Sequence, residues 1–468
     1  MPFAAFDLHK REIEAAVFDE DGRTTFRKRF PGTREAILAF AEQHLTPVHK
    51  VAMEATFNTW AVADLLAPLV DSITVGNPLQ TRAIAQAKVK TDKIDVQVLG
   101  HLLRLGYLPA VWKPDAATRQ LRQQTTERAT LTNDRTRLKN RIHGVLNHRL
   151  IAPPAALTGG ALFESAGIEW LQRLEIDPVG RRSLYRMLVQ LDVVEKQIES
   201  TEAPLARLAY ADPKVRLLTT LPGVGFATAL ALRAALGDLS RFPSPDHAAA
   251  YLGLVPSTYQ SGDKTYHGHI TKRGNSHARW MLVEAAQCVD DHPGPLGHFF
   301  RKLAKKKNRN VAVVATARKL VVIAWHMLKN DEPYRYAIPR STEEKLRKLR
   351  VLATGERRRS GPAKGQKATP AIAPGIRSRL IKSLPDLYAS EHLPALPPPR
   401  AGELRMIEAD GLAFRGQSAS GIQEAIIKKE ARLKALWSTR LSNQMAVLPP
   451  FDQVFREFRR VLRQANLP

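Results

Sequence analysis

Apolar and polar positions along the first hundred residues change period several times. Residues 3–8 and 13–18 are short apolar runs of strand length, and Asp19-Glu-Asp-Gly22 is a turn signal leading into an alternating stretch over 24–30. That pattern predicts an antiparallel meander of three strands. Thr33 then stands where a cap is needed for a helix over 34–44, with Glu35 in its first turn. Residues 50–55 read as a buried strand, 58–67 as helix, 72–76 as strand and 90–105 as an apolar-periodic helix.

Pro114 closes this α/β block. Residues 116–150 predict one long basic helix with Leu131, Leu138, Ile142 and Val145 on a rough heptad seam. A second helix over 181–201 repeats Leu184, Leu188, Leu191 and Ile198 before Pro204 interrupts it. The pair reads either as a helical hairpin or inter-subunit coiled coil, or as a surface pair bridging domains. The turn Leu221-Pro-Gly-Val-Gly225 follows, with Gly223 and Gly225 exposing backbone amides at a helix start, a seat for phosphate. It resembles the hairpin of helix-hairpin-helix DNA binders, with a plain helix connection as the alternative. Residues 251–275 are dense in glycine and hydroxyls and carry Ser261, Lys264, Lys272 and Arg273. They read as a phosphate-contacting loop, with or without chemistry of its own. Helices follow over 276–286 and 311–329. The expected domains are 1–110, a helical region over 111–208, a further domain over 209–335, a basic linker over 336–370 and an extension over 371–468. That extension holds two basic helices (422–437 and 451–465) and no assignable chemistry.

Charge sharpens this picture. The 468 residues carry 71 Lys and Arg against 45 Asp and Glu, a net +26, which points to a polyanionic partner such as nucleic acid. No apolar run reads as long enough to span a bilayer, and the first residues lack a signal-peptide pattern. The expected location is therefore the cytoplasm, at the nucleoid, with no membrane partner. The one cysteine, Cys288, leaves no internal disulfide and no thiolate metal cluster. Against the basic background, the acids that matter are few. Asp92 and Asp95 are three apart at the head of the 90–105 helix, on neighbouring positions of one face. Lys88, Lys90 and Lys93 crowd the same turn, as an anionic ligand would favour. Asp7 and Glu54 fall near the ends of two predicted strands. The order βββαβαβα with acids at those places is the ribonuclease H-like layout, in which neighbouring strand ends bring distant acids together. Four such carboxylates suit two Mg2+ ions, whose hard oxygen chemistry serves phosphoryl transfer.

The chain closely resembles the transposases of the insertion sequence 110 family. The likeness spans roughly residues 1–330 and rests on Phe6-Asp-Leu-His9, Ala52-Met-Glu-Ala55, Lys90-Thr-Asp-Lys-Ile-Asp95, Leu221-Pro-Gly-Val-Gly225, Gly253-Leu-Val-Pro256, Ser261-Gly262 and Ile270-Thr-Lys-Arg-Gly-Asn275. The resemblance implies an α/β RuvC-like (ribonuclease H-like) N-terminal domain, a coiled-coil middle and a mostly α transposase domain. It implies that Asp7, Glu54, Asp92 and Asp95 form a DEDD set and that Ser261 is a nucleophile linked to the cleaved strand as a phosphoserine. Nearby Ser257 is set aside only because Ser261 precedes Gly262. It further implies a structured guide RNA, DNA as substrate and a dimer or tetramer that pairs the acids of one subunit with the serine of another. A structure-specific nuclease using water, and a binding protein that retains only the fold, are the competing readings.

Overall fold

The structure is a computed structural model that describes residues 1–84, 91–356 and 383–398. The chain divides into two units, Met1–Asp115 and Ala116–Pro468, and each is described by itself.

The first unit is built on a five-stranded sheet of order β3-β2-β1-β4-β5. Strands β1 (Phe3–Leu8), β2 (Glu12–Phe18) and β3 (Thr24–Pro31) form the antiparallel meander, while β4 (Lys50–Glu54) and β5 (Ser72–Gly76) run parallel to β1. The helices are α1 (Arg34–His44), α2 (Thr59–Leu66), α3 (Pro78–Ile84) and α4 (Asp92–Arg104). Thr33 caps α1 as the sequence suggests, accepting from the Ala36 amide; α3 was not anticipated, because its seven residues carry too little periodicity. Strand alternation gives the sheet two unlike faces. Phe6, Leu8, Ile13, Val17, Val51 and Met53 face one core with Ile37, Phe40, Val62 and Leu66 of α1 and α2. The other face presents Ala5, Ala16 and Ala52 with Phe18, and α4 lies on it through Val96, Leu99 and Leu102. Gly100 of α4 meets Phe18 so closely that a Cβ there would stand 2.4 Å from the ring.

The second unit is mostly helical. α5 (Ala116–Asn147) packs against α7 (Pro178–Ala211), with 3-10 turns and α6 (Ser165–Arg173) between them. Lys139 pairs with Glu195 at 3.2 Å and Arg149 with Asp177 at 2.6 Å, so the long helices run antiparallel within one chain. α7 does not stop at Pro204. Leu205, Ala206 and Ala209 are buried in the core beyond it, and that packing outweighs the lost backbone hydrogen bond. The same core takes in α8 (Pro213–Thr219), α9 (Phe226–Leu236), α10 (Pro245–Tyr251), α11 (Ser276–Gln287), α12 (Pro295–Lys306) and α13 (Arg309–Asn330). α13 is long and apolar enough to cross a membrane, contrary to the sequence reading; Leu320, Val321, Ala324 and Leu328 are instead buried in this core.

Two further segments depart from the reading of the sequence. Residues 256–270 form a β-hairpin, β6 (Pro256–Ser261) with β7 (Lys264–Ile270), where a loop was expected. Gly262 takes φ +57° in the two-residue connection, and Tyr and Thr on both arms favour strands. The segment read as linker opens with α14 (Pro339–Thr354), whose Leu346 and Leu349 are buried in the same core. α15 (Leu384–Ser390) joins it through Leu384, Leu387 and Tyr388, and the Tyr388 hydroxyl donates to the Tyr334 carbonyl at 2.6 Å. The expected helices over 422–437 and 451–465 lie outside the described residues.

One buried group links this packing to pH. His292 accepts the Gly294 amide on Nδ1 at 3.1 Å, while its Nε2 is buried without a partner. Burial, with the charges of Arg301 and Lys345 nearby, lowers the imidazole to about 4. In the unfolded chain it binds a proton near the ordinary 6.5; in the fold it does not until about 4. Stability from this group is therefore complete above pH 6.5 and falls as pH drops from 6.5 to 4, by on the order of 3 kcal/mol. Urea unfolding between pH 7 and 4.5 should show that loss, and His292→Asn, which retains an acceptor, should flatten the profile.

Candidate functional site

Asp7 follows Phe6 on β1, and alternation turns it away from the α1–α2 core onto the face that α4 covers. Glu54 follows Met53 at the end of β4 and shares that face for the same reason. The parallel register pairs Phe6 with Met53, so Asp7 and Glu54 stand one position further along adjacent strands. α4 begins where those strands end. Thr91 accepts the Ile94 amide as its N-cap, and Asp92 and Asp95 occupy the first turn. All four expected acids therefore belong to the first unit.

Among the described residues, Asp7, His9 and Asp92 form a trio whose ligand atoms all lie within 4.8 Å of one another. His9 Nε2 stands 3.2 Å from Asp7 and 3.3 Å from Asp92. Glu54 and Asp95 lie outside that trio, at the neighbouring strand end and three residues along α4. Two carboxylates and an imidazole converging from the end of β1 and the start of α4 are a donor set that fits a divalent cation. Three neighbours complete the electrostatics, and the sequence reading missed their part. Glu14, paired directly with Asp7 across β1 and β2, is only 8% exposed. Arg29 donates to Glu14 at 3.2 Å and also binds Asp92, while Arg27 lies 3.5 Å from Glu14. Glu14, through its hydrogen bond, is the main reason Arg29 holds its proton more firmly than usual. His9 belongs to the Phe6-Asp-Leu-His9 motif, whereas Arg29 carries no sequence signal except its place opposite Glu14 in the meander. Lys93 is exposed on the first turn of α4, whereas Lys88 and Lys90 lie outside the described residues.

The remaining expected residues belong to the second unit. Ser261 ends β6 opposite Lys264, and both are exposed at the hairpin tip. Ser257 is engaged otherwise, donating to the His269 carbonyl at 3.3 Å. Lys272 and Arg273 are exposed just after β7, in a tight turn where Lys272 itself has φ +53°. Arg279 of α11 secures that turn by donating to the Leu252 and Arg273 carbonyls, each at 3.0 Å.

The Pro-Gly-Val-Gly turn joins α8 to α9. Gly223 has φ +71°, and a Cβ there would lie 2.2 Å from the Ala285 carbonyl oxygen, so no other residue fits without displacing α11. Gly225 is the N-cap of α9, and no side chain caps that helix start. Beneath the turn, Lys345 of α14 donates from Nζ to the carbonyls of Thr219 (2.5 Å), Leu221 (2.7 Å) and Val224 (3.0 Å). Burial lowers its ammonium to about 7. The sequence reading assigned nothing to this lysine, since its role appears only when a helix beyond residue 336 returns to the turn.

Comparison with known proteins finds matches in both units. Residues 4–150 match a family model of transposases, that of the DEDD transposases of the IS110 group, and residues 215–299 match the model described as transposase IS116/IS110/IS902 family. Among curated relatives, the transposase for insertion sequence element IS1328 of Yersinia enterocolitica is 27% identical over 68% of this chain and 94% of its own length. A probable family 20 transposase of Pseudomonas aeruginosa is 26% identical over 70% of this chain and 97% of its own. The insertion element IS110 uncharacterized 43.6 kDa protein of Streptomyces coelicolor is 32% identical, but over 33% of this chain and 38% of that protein. The chain is therefore a transposase. Both matched family models are of IS110/IS116 transposases, and the chain is similar to that family over those residues.

The carbonyls of Thr219, Leu221 and Val224 all accept from the one tethered Nζ of Lys345. Lys345→Ala should cost about 2–4 kcal/mol by leaving those oxygens unpaired. At fixed ionic strength, K+ in place of tetramethylammonium should raise the melting temperature of the variant and leave that of the parent unchanged, since carbonyl oxygens can replace the hydration shell of K+.

Proposed function

We propose that this protein cleaves and exchanges DNA strands for the mobility of an insertion sequence, using Ser261 as nucleophile and the acids of a ribonuclease H-like first unit as a divalent-metal site. The convergence of Asp7 and Asp92 on one imidazole, from the first strand and the last helix of the unit, carries the reading. In this reading Asp7, Glu54, Asp92 and Asp95 hold up to two Mg2+ ions, with His9 beside them. When bound, such ions supply Lewis-acid stabilisation of the phosphate and its leaving oxygen. Ser261 Oγ gives up its proton as it forms the new bond to phosphorus, one strand oxygen leaves and takes up a proton in turn, and the broken end stays joined to the protein as a phosphoserine ester. The stored ester bond lets a second strand hydroxyl displace the serine without an outside energy source. Lys264 across the hairpin, with Lys272 and Arg273, balances the phosphate charge. The amides of the Pro-Gly-Val-Gly turn at α9 grip a further backbone phosphate. Lys93, and Lys88 and Lys90 before it in sequence, serve the same polyanion.

The family likeness extends the proposal to a structured guide RNA that pairs with DNA and to a dimer or tetramer. The acids and Ser261 lie in separate units, which suits an assembly in which one subunit's acids serve another subunit's serine. A nuclease using water is the second reading, favoured by one observation: the acid cluster is assembled within the first unit alone.

Ser261→Ala separates the two. It should abolish the covalent protein–DNA adduct and strand transfer, while cutting that persists unchanged would establish the nuclease. Asp92→Asn should lower recombination at least about 100-fold, and recombination at the parent rate would rule out the metal site. Log affinity for DNA should fall steeply and linearly with log salt, as counterion release requires; titration by fluorescence anisotropy from 50 to 200 mM salt reads it directly.

A further inference from the structure

The β6–β7 hairpin carries two large rings that no role described above uses. Tyr259 and Tyr266 are directly opposed in the register and are 70% and 64% exposed. Alternation sets them on one face with Ser261 and Lys264, the next opposed pair on that face toward the tip. The opposite face is of another kind: Thr258 and Gln260 with Thr265 and His267, where Thr258 and His267 make their own contact at 3.1 Å. One side of this ribbon is therefore polar and internally bonded, and the other presents two open aromatic surfaces in line with the serine.

We infer that Tyr259 and Tyr266 form a stacking platform for the unpaired bases of a single nucleic-acid strand, which they hold so that its backbone passes Ser261 and Lys264. Charge selects this occupant. Between residues 256 and 273 the acid Asp263 faces Lys264, Lys272 and Arg273, so the ribbon matches a polyanion with aromatic faces and repels a basic peptide. Every base has a π-face, so such a platform accepts any sequence while the cations track the phosphates. Tyrosine brings large, stiff area and a hydroxyl that tolerates water, which suits a surface that is open until the strand arrives. The inference deepens the proposed role of Ser261 as nucleophile and rests on it for the purpose of the platform, though not for the binding itself. Tyr259 and Tyr266 are positioning residues.

The test uses the full-length protein and oligothymidylate, with 5-iodouracil at single positions for photocrosslinking and a fluorescein end label for anisotropy. Crosslinks should map to Tyr259 or Tyr266. The Tyr259→Ala/Tyr266→Ala pair should bind about tenfold more weakly or worse with the salt slope unchanged, and Tyr259→Phe/Tyr266→Phe should stay within about twofold of the parent. Lys264→Ala should instead reduce the salt slope by about one. Both tyrosines are exposed, so folding is preserved, which a matched melting temperature verifies. Parent-like affinity in the Ala pair, crosslinks confined to other residues, or equal losses in the Phe and Ala pairs would overturn the platform. So would a change of oligomeric state in the Ala pair, which would make this face a contact between copies of the chain. If the parent forms no covalent adduct yet the tyrosine effects hold, the nucleophile reading fails and the platform stands.

Discussion

The two-residue period of the central sheet is the constraint on which the first unit depends. One face of β1, β2 and β4 is filled with Phe, Leu, Ile, Val and Met; the other is floored with Ala5, Ala16 and Ala52. Small side chains let a helix lie close, and Gly100 removes the last obstacle where α4 crosses Phe18. Because Asp7 and Glu54 continue the alanine face, the helix that covers it delivers Asp92 to the same place. A register slip of one residue on β1 would send Asp7 into the α1–α2 core and empty the cluster. The acids are thus held by the sheet and its packing, and not by their interaction with one another, which is repulsive.

That repulsion is managed locally. Asp7, Glu14 and Asp92 are threaded with Arg27, Arg29 and His9, each touching at least one of the acids. A buried carboxylate such as Glu14 needs such a partner, since an unpaired charge there would cost several kcal/mol. Arg29 is shared between Glu14 and Asp92, so β3 and the start of α4 are fixed relative to each other by one guanidinium. Its planar fork serves two carboxylates on different elements in a way a lysine would not.

Much of this was legible in the chain. The meander, the parallel strands and the cap at Thr33 follow from local signals, because amphipathic period and turn chemistry are written within a few residues. The convergence of Asp7 with Asp92 followed from topology once the element order was known. What could not be read depends on distant packing. Pro204 is a helix breaker in any local scheme, yet the core formed by Leu205, Ala206 and Ala209 overrides it. Lys345 looked like one more charge in a basic tail; only the fold shows that α14 returns it to the carbonyls at residues 219, 221 and 224. The β6–β7 hairpin was read as a loop, because the hydroxyls and glycines around Gly262-Asp263 obscured the alternation of its two arms.

The hairpin and the acid cluster are held by opposite means. The acids stand on a sheet covered on both faces, and their positions follow from buried contacts throughout the unit. The hairpin is a two-stranded ribbon exposed along both arms, and ribbons of that kind are marginal by themselves in water. Its hold on the core is at the base, where Val255 and Ile270 pack against the helices and the Arg279 hydrogen bonds tie down the following turn. Order at the tip therefore increases with whatever covers the ribbon's faces, so a strand lying along Tyr259 and Tyr266 would fix the serine beside them at the moment it is needed. The cost of ordering the tip is then met by binding, while the carboxylates, which must not collapse onto each other, are set by folding alone.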